Sequence, residues 1–175
     1  MVFEKENLPD LNPEQLAAKI QAAYASLDYP MEVSPNEVPE KFEGFEPLRD
    51  RKVVMVDDGK FILTAFVPEL MVATNGNAEF IEQSEQDAQQ LTDNILSRNP
   101  EIVLMDYSLK SMTGSTVAKM LTEKKFQGII IGFSNNSDSN SEFQKAGVTK
   151  TAFKSISNPR DSVLEVANLI GAKNW

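Results

Sequence analysis

The sequence predicts an α/β protein, a doubly wound five-stranded parallel sheet with helices on both faces and a helical and extended appendage at its N-terminus. From Arg51 onward, five short apolar runs alternate with five segments of helical period, the signature of β-α-β units. Five strands alternating with five helices imply a parallel sheet covered on both faces. The first fifty residues differ in texture, with 11 acids against 4 bases and six of the nine prolines, whereas residues 51–175 hold 15 acids and 13 bases.

Within residues 1–50, NPEQLAAKIQAAYASL predicts one helix over about 13–27. Asn12 caps it, Pro13 suits its first turn, and Glu14 faces the positive end of its dipole. Leu16, Ile20, Ala23, Tyr24 and Leu27 form one apolar stripe, which fits docking on the chain's own domain in preference to a helix held for a partner. The acidic, proline-punctuated stretch that follows has no period and reads as an extended linker. The expected division is therefore an acidic extension over 1–50 and a domain over 51–175.

In that domain KVVMVDD (52–58) is the first strand and KFILTAFVPEL (60–70), with its flank, the first helix. AEFIEQS (78–84) and EQDAQQLTDNILSRN (85–99) follow as strand and helix, the latter stopped before Pro100. EIVLMD (101–106) is the third strand, and TGSTVAKMLTEKK (113–125) a helix. GIIIGFS (128–134) is the fourth strand, before a short helix over 137–147 that Gly147 ends. VTKTAFK (148–154) is the fifth strand, and PRDSVLEVANLIGA (159–172) the last helix. Phe133 and Phe153 read as core, Met105 and Met112 as packing.

Composition removes several function classes. With no cysteine the chain has neither disulfides nor thiolate chemistry, which fits a cytoplasmic protein. With no histidine it has no imidazole base, no ordinary zinc site and no phosphohistidine of its own. The net charge of −9 argues against a nucleic-acid backbone as partner. No apolar run has membrane-spanning length, and the first residues lack the pattern of a secretory signal.

Ligands of doubly wound sheets bind beyond the carboxyl ends of the strands. There the first strand offers Asp57 and Asp58, the third Asp106, the fourth Ser134 and the fifth Lys154. Asp106 alone would be a cap or turn former, but its convergence with the others favours a chemical site. Two carboxylates about 4 Å apart at an effective dielectric near 20 repel by roughly 4 kcal/mol, so one ammonium does not balance three. All-oxygen ligands suit Mg²⁺, and a carboxylate beside that ion can act as a phosphoryl acceptor.

Residues 51–172 resemble the receiver domain of two-component response regulators. VVMVDDGK is similar to the family's first strand with its acidic pair. Asp-x-x-Leu-Lys-x-Met-x-Gly, from Asp106 to Gly114, is similar to its phosphoacceptor turn. IIIGFS and AGVTKTAFKS are similar to the runs that carry its Ser or Thr and its lysine. The resemblance implies the flavodoxin-like strand order 2-1-3-4-5. It also implies that Asp106 accepts the phosphoryl group and that Asp57, Asp58 and Asp106, with the main-chain carbonyl of Ser108, hold Mg²⁺. Ser134 would bind a phosphoryl oxygen, and Lys154 would pair with Asp106 or the phosphate.

The donor implied is a sensor histidine kinase, a histidine phosphotransfer protein or a small acyl phosphate. Output would pass through a downstream protein, because only about four residues follow the last helix, and pairing of two copies would use the fourth helix, fifth strand and fifth helix. Such a protein is a phosphoacceptor rather than an enzyme. Four positions depart from the pattern. Lys110 and Ser155 stand where prolines are usual, Asn135 where a small residue is usual, and Thr151 in place of an aromatic. These departures keep open a second reading, a receiver-like interaction module independent of phosphorylation. A magnesium phosphohydrolase is disfavoured because Ser108 stands where its acid–base group would be.

Overall fold

The structure is a computed structural model that describes residues 8–148 and 150–172. Thr149, inside the expected fifth strand, and the ends 1–7 and 173–175 lie outside the described residues.

The first element is α1 (Pro13–Ser26), whose Asn12 side chain and Gln15 form a reciprocal capping box that satisfies two of the open N–H groups at its start. Two single 3₁₀ turns follow, Pro35–Glu37 and Glu46–Leu48. Then come β1 (Val53–Asp57), α2 (Lys60–Ala73), β2 (Ala78–Glu82), α3 (Ala88–Ser97) and β3 (Ile102–Met105). Two two-residue strands, β4 (Ser108–Leu109) and β5 (Met112–Thr113), form a small hairpin that the sequence reading lacks. The chain continues as α4 (Gly114–Glu123), β6 (Ile129–Ser134), α5 (Ser139–Lys145), β7 (Lys150–Phe153) and α6 (Pro159–Gly171).

The main sheet has the order β2-β1-β3-β6-β7, and every pair in it is parallel. With the hairpin set aside this is the expected 2-1-3-4-5. β1 and β3 are central and every residue in them is buried, which is why they read as unbroken apolar runs. α3 starts three residues later than the sequence suggests, because Asp87 and Gln90 make the capping box that fixes its first turn.

The two faces of the sheet carry separate cores. α3, α4 and α5 cover one, around Leu91, Ile95, Val117, Leu121 and Phe143. α2 and α6 cover the other, where Phe66 meets Phe133 edge-on at 5.2 Å between ring centroids. α1 packs over α2 on that second face, sinking Leu16, Ile20, Tyr24 and Leu27 into the same core. α2 is apolar nearly all round and carries Pro68 in its interior. Burial on both sides outweighs the roughly 3 kcal/mol that an interior proline costs. The linker after α1 is pinned by Phe45 and Leu48, both buried, so it is less extended than its composition implies. Phe153, expected in the core, is 56% exposed. It lies at the end of the edge strand β7, on the face opposite the buried Ala152.

Candidate functional site

Strand register delivers the site. Val56 of β1 is level with Met105 of β3, and Met105 with Gly132 of β6. The next residues, Asp57 and Asp106, therefore leave the sheet side by side. Ser134 is level with Phe153, so Lys154 emerges one position further, and its N–H donates to the Ser134 carbonyl at 3.0 Å. Connections run from β1 toward one edge and from β3 toward the other. The crevice between these strands is the topological switch point at which ligands of such sheets bind.

Asp57, Asp58 and Asp106 each offer a carboxylate oxygen within 4.8 Å of the others. Asp57 is fully buried, Asp106 is 5% exposed, and Asp58 is open to solvent. The buried Lys154 Nζ donates to Asp57 Oδ2 at 2.5 Å and to Asp106 Oδ1 at 2.6 Å. Asp57 Oδ1 accepts the Gly59 N–H at 2.8 Å. The resemblance pairs the lysine with Asp106 or a phosphate, and the fold gives it both buried acids. Three carboxylates against one ammonium leave two negative charges uncompensated. Burial first, and the neighbouring Asp57 charge, push the Asp106 carboxyl up to about 6 against the pull of Lys154. An all-oxygen donor set of this charge and spacing fits Mg²⁺.

Ser134 is buried at the end of β6, and its Oγ accepts the Asn136 N–H at 3.2 Å. Ser108 opens β4 two residues past Asp106, with an exposed side chain. Gly114 is required where it stands, because a Cβ there would fall 1.8 Å from the Asp106 carbonyl oxygen. Its N–H donates to the Tyr107 carbonyl at 2.7 Å, so α4 starts directly beneath the Asp106 backbone.

Gln83, just past β2, is a residue the sequence reading missed. It is buried, and its Oε1 accepts the Lys110 N–H at 2.8 Å. The other proline-position departure is served in the same way, since Ser162 Oγ accepts the Ser155 N–H at 2.8 Å. A proline at either position would have no N–H to give. A lone glutamine at a strand end carries no sequence signal of such a role.

No family model matches the sequence, and no curated protein does. Solved structures do match. A response regulator receiver domain protein (CheY-like) from Methanospirillum hungatei JF-1 superposes with a TM-score of 0.56 at 17% identity, covering 69% of this chain and 93% of that one. The response regulator TrrA from Thermotoga maritima, solved in complex with Mg²⁺ and a beryllium fluoride, gives 0.54 at 20% identity over 69% and 98%. The BeF₃-activated receiver domain of DrrB gives 0.53 at 18% over 69% and 97%. The chain thus has the fold of a response-regulator receiver domain.

Proposed function

We propose that the chain is a receiver protein that takes a phosphoryl group onto Asp106 with the help of Mg²⁺. The observation that carries this reading is the cluster at the switch point, three carboxylate oxygens within 4.8 Å with Lys154 bonded to two of the acids. In this reading residues 51–175 are the receiver domain and 1–50 an extension of it.

Asp57, Asp58, Asp106 and the Ser108 carbonyl would hold the ion, which when bound neutralises charge on the phosphoryl oxygens. An Asp106 oxygen attacks phosphorus in line with the departing group, a donor imidazole or an acyl carboxylate. The new O–P bond forms as the donor's bond to phosphorus breaks, and an imidazole donor leaves with its electron pair and takes a proton. The Ser134 hydroxyl donates to a phosphoryl oxygen. Lys154 keeps its bond to Asp57 and turns its second hydrogen bond to the phosphoryl group as the Asp106 charge is consumed.

With no histidine in the chain, the phosphohistidine belongs to a sensor histidine kinase or a histidine phosphotransfer protein. Phe61, Phe153 and Ile156, 74%, 56% and 37% exposed, each stand within three residues of an acid or the lysine of the site and give such a donor an apolar rim to dock on. Output by contact with a downstream protein, pairing of two copies through α5, β7 and α6, and a cytoplasmic setting belong to the same reading. So do the absence of enzymatic turnover and of nucleic-acid or membrane partners. Among the described residues no helix is long and apolar enough to cross a membrane.

The test is direct. Incubated with Mg²⁺ and acetyl phosphate, the intact protein should gain the mass of one phosphoryl group, and Asp106→Asn should gain none. The small exposure of Asp106 and the engagement of Ser134 with Asn136 favour a second reading, an interaction module independent of phosphorylation. An unchanged mass together with no Mg²⁺ binding would select it.

A further inference from the structure

We propose that Gln83 is a positioning residue for the acceptor turn, its buried amide holding the loop that carries Asp106 in register with the acids of β1. The inference rests on reading Asp106 as the acceptor. Gln83 is 1% exposed and ties the end of β1 and the β4–β5 turn to its own loop before α3. Its N–H donates to the Asp57 carbonyl at 2.9 Å, its Oε1 accepts from the Lys110 N–H at 2.8 Å, and its Nε2 donates to the Gln86 carbonyl at 3.0 Å. Both ends of its side-chain amide are directed at backbone.

The turn needs such a tie. From Asp106 to Gly114 the chain leaves the sheet, makes the β4–β5 hairpin and returns. Gly114 fixes the return through the Tyr107 carbonyl. Around the hairpin tip, Lys110 is exposed and Ser111 has a positive φ of 70°, a conformation that a serine holds at a cost. The Gln83 bond to Lys110 anchors that tip, and through it Ser108, to the strand that ends in Asp57. Loss of this tether loosens the Asp106 turn against the Asp57–Asp58 pair, and small misplacements of reacting or ligating groups carry large rate penalties. Gln83 touches neither donor nor phosphoryl group, so its influence passes through Lys110.

The 175-residue chain tests this in three measurements. Gln83→Met keeps the side-chain length and removes both amide groups. It should lower the hydrogen-exchange protection of the Lys110 amide and weaken Mg²⁺ binding, read by calorimetry, by about 10-fold. It should slow phosphoryl gain from acetyl phosphate by a similar factor at an unchanged half-saturating donor concentration. Lys110→Pro deletes the other partner of the same bond, so the double variant should bind Mg²⁺ no more weakly than the worse single. Multiplying effects in the double variant, or wild-type Mg²⁺ affinity and Lys110 protection in Gln83→Met, would overturn the proposal. A wild-type protein that gains no phosphoryl mass would sink the acceptor reading instead, while amide exchange and Mg²⁺ affinity still decide the role of Gln83.

Discussion

The two ends of α2 handle buried polar groups in opposite ways. At its C-terminal end Asn75, in the left-handed region at φ 54°, meets the N-terminal segment and has every amide group occupied. Its Oδ1 accepts the Leu11 N–H at 2.9 Å, and its Nδ2 donates to Asp50 Oδ1 at 2.8 Å and to the Pro9 carbonyl at 3.2 Å. At the N-terminal end, beyond Gly59, three carboxylates share one ammonium. A satisfied polar cluster fixes geometry. An under-neutralised one stores electrostatic free energy that a cation can release. One end of the helix is therefore saturated with partners, and the other is left with unbalanced charge.

The largest expected effect tests whether the structural end belongs to the cooperative fold. Ile20 of α1 is fully buried, so Ile20→Ala should cost about 2–5 kcal/mol in urea denaturation, in a single transition. A loss under about 1 kcal/mol would mean that α1 sits on the domain without stabilising it. Asn75→Asp comes next. It keeps the left-handed turn, removes a donor and sets a carboxylate against Asp50, so it should cost about 1–3 kcal/mol. Its Mg²⁺ affinity should equal that of the wild type. A change there would erase the distinction between the two ends.

At the chemical end the sign is set by Asp106. Its carboxyl is raised from 3.8 to about 6, so the folded protein holds this proton more tightly than the unfolded chain does. The contribution of the group to stability is complete below about pH 4 and is lost as the pH rises to about 6. In chelator, the melting temperature of the wild type minus that of Asp106→Asn should fall across this interval and level off above it; a constant difference would contradict the assignment. The smallest effect is a gain. Asp58→Asn removes one uncompensated charge and should raise the metal-free melting temperature by about 2 °C while weakening Mg²⁺ binding, the exchange of stability for function expected at a strained site.

Much of this was legible before folding. Val53–Asp57 and Ile102–Met105 are buried on both faces, so burial alone dictates their composition, and each is followed or ended by an acid that has no place in a core. That pairing of pattern and exception exposed Asp57, Asp58 and Asp106. Phe153 was misread because apolar character marks a core residue only where a helix covers it, and the end of an edge strand is uncovered. Gln83 was invisible because its role lies in backbone groups 27 residues away, at Lys110.

Sequence by itself determined the alternation of strands and helices, the cap at Asn12, and the residue types that can meet at the carboxyl edge of the sheet. These are local consequences of periodicity, burial and hydrogen bonding, each decided within a few residues. Only the tertiary structure decided that Lys154 bridges two acids, that α1 closes the outer side of α2, and that a glutamine and a serine accept the N–H groups of Lys110 and Ser155. Those outcomes depend on strand register and on contacts between distant segments, and the free energy of such contacts appears only when the whole chain has packed.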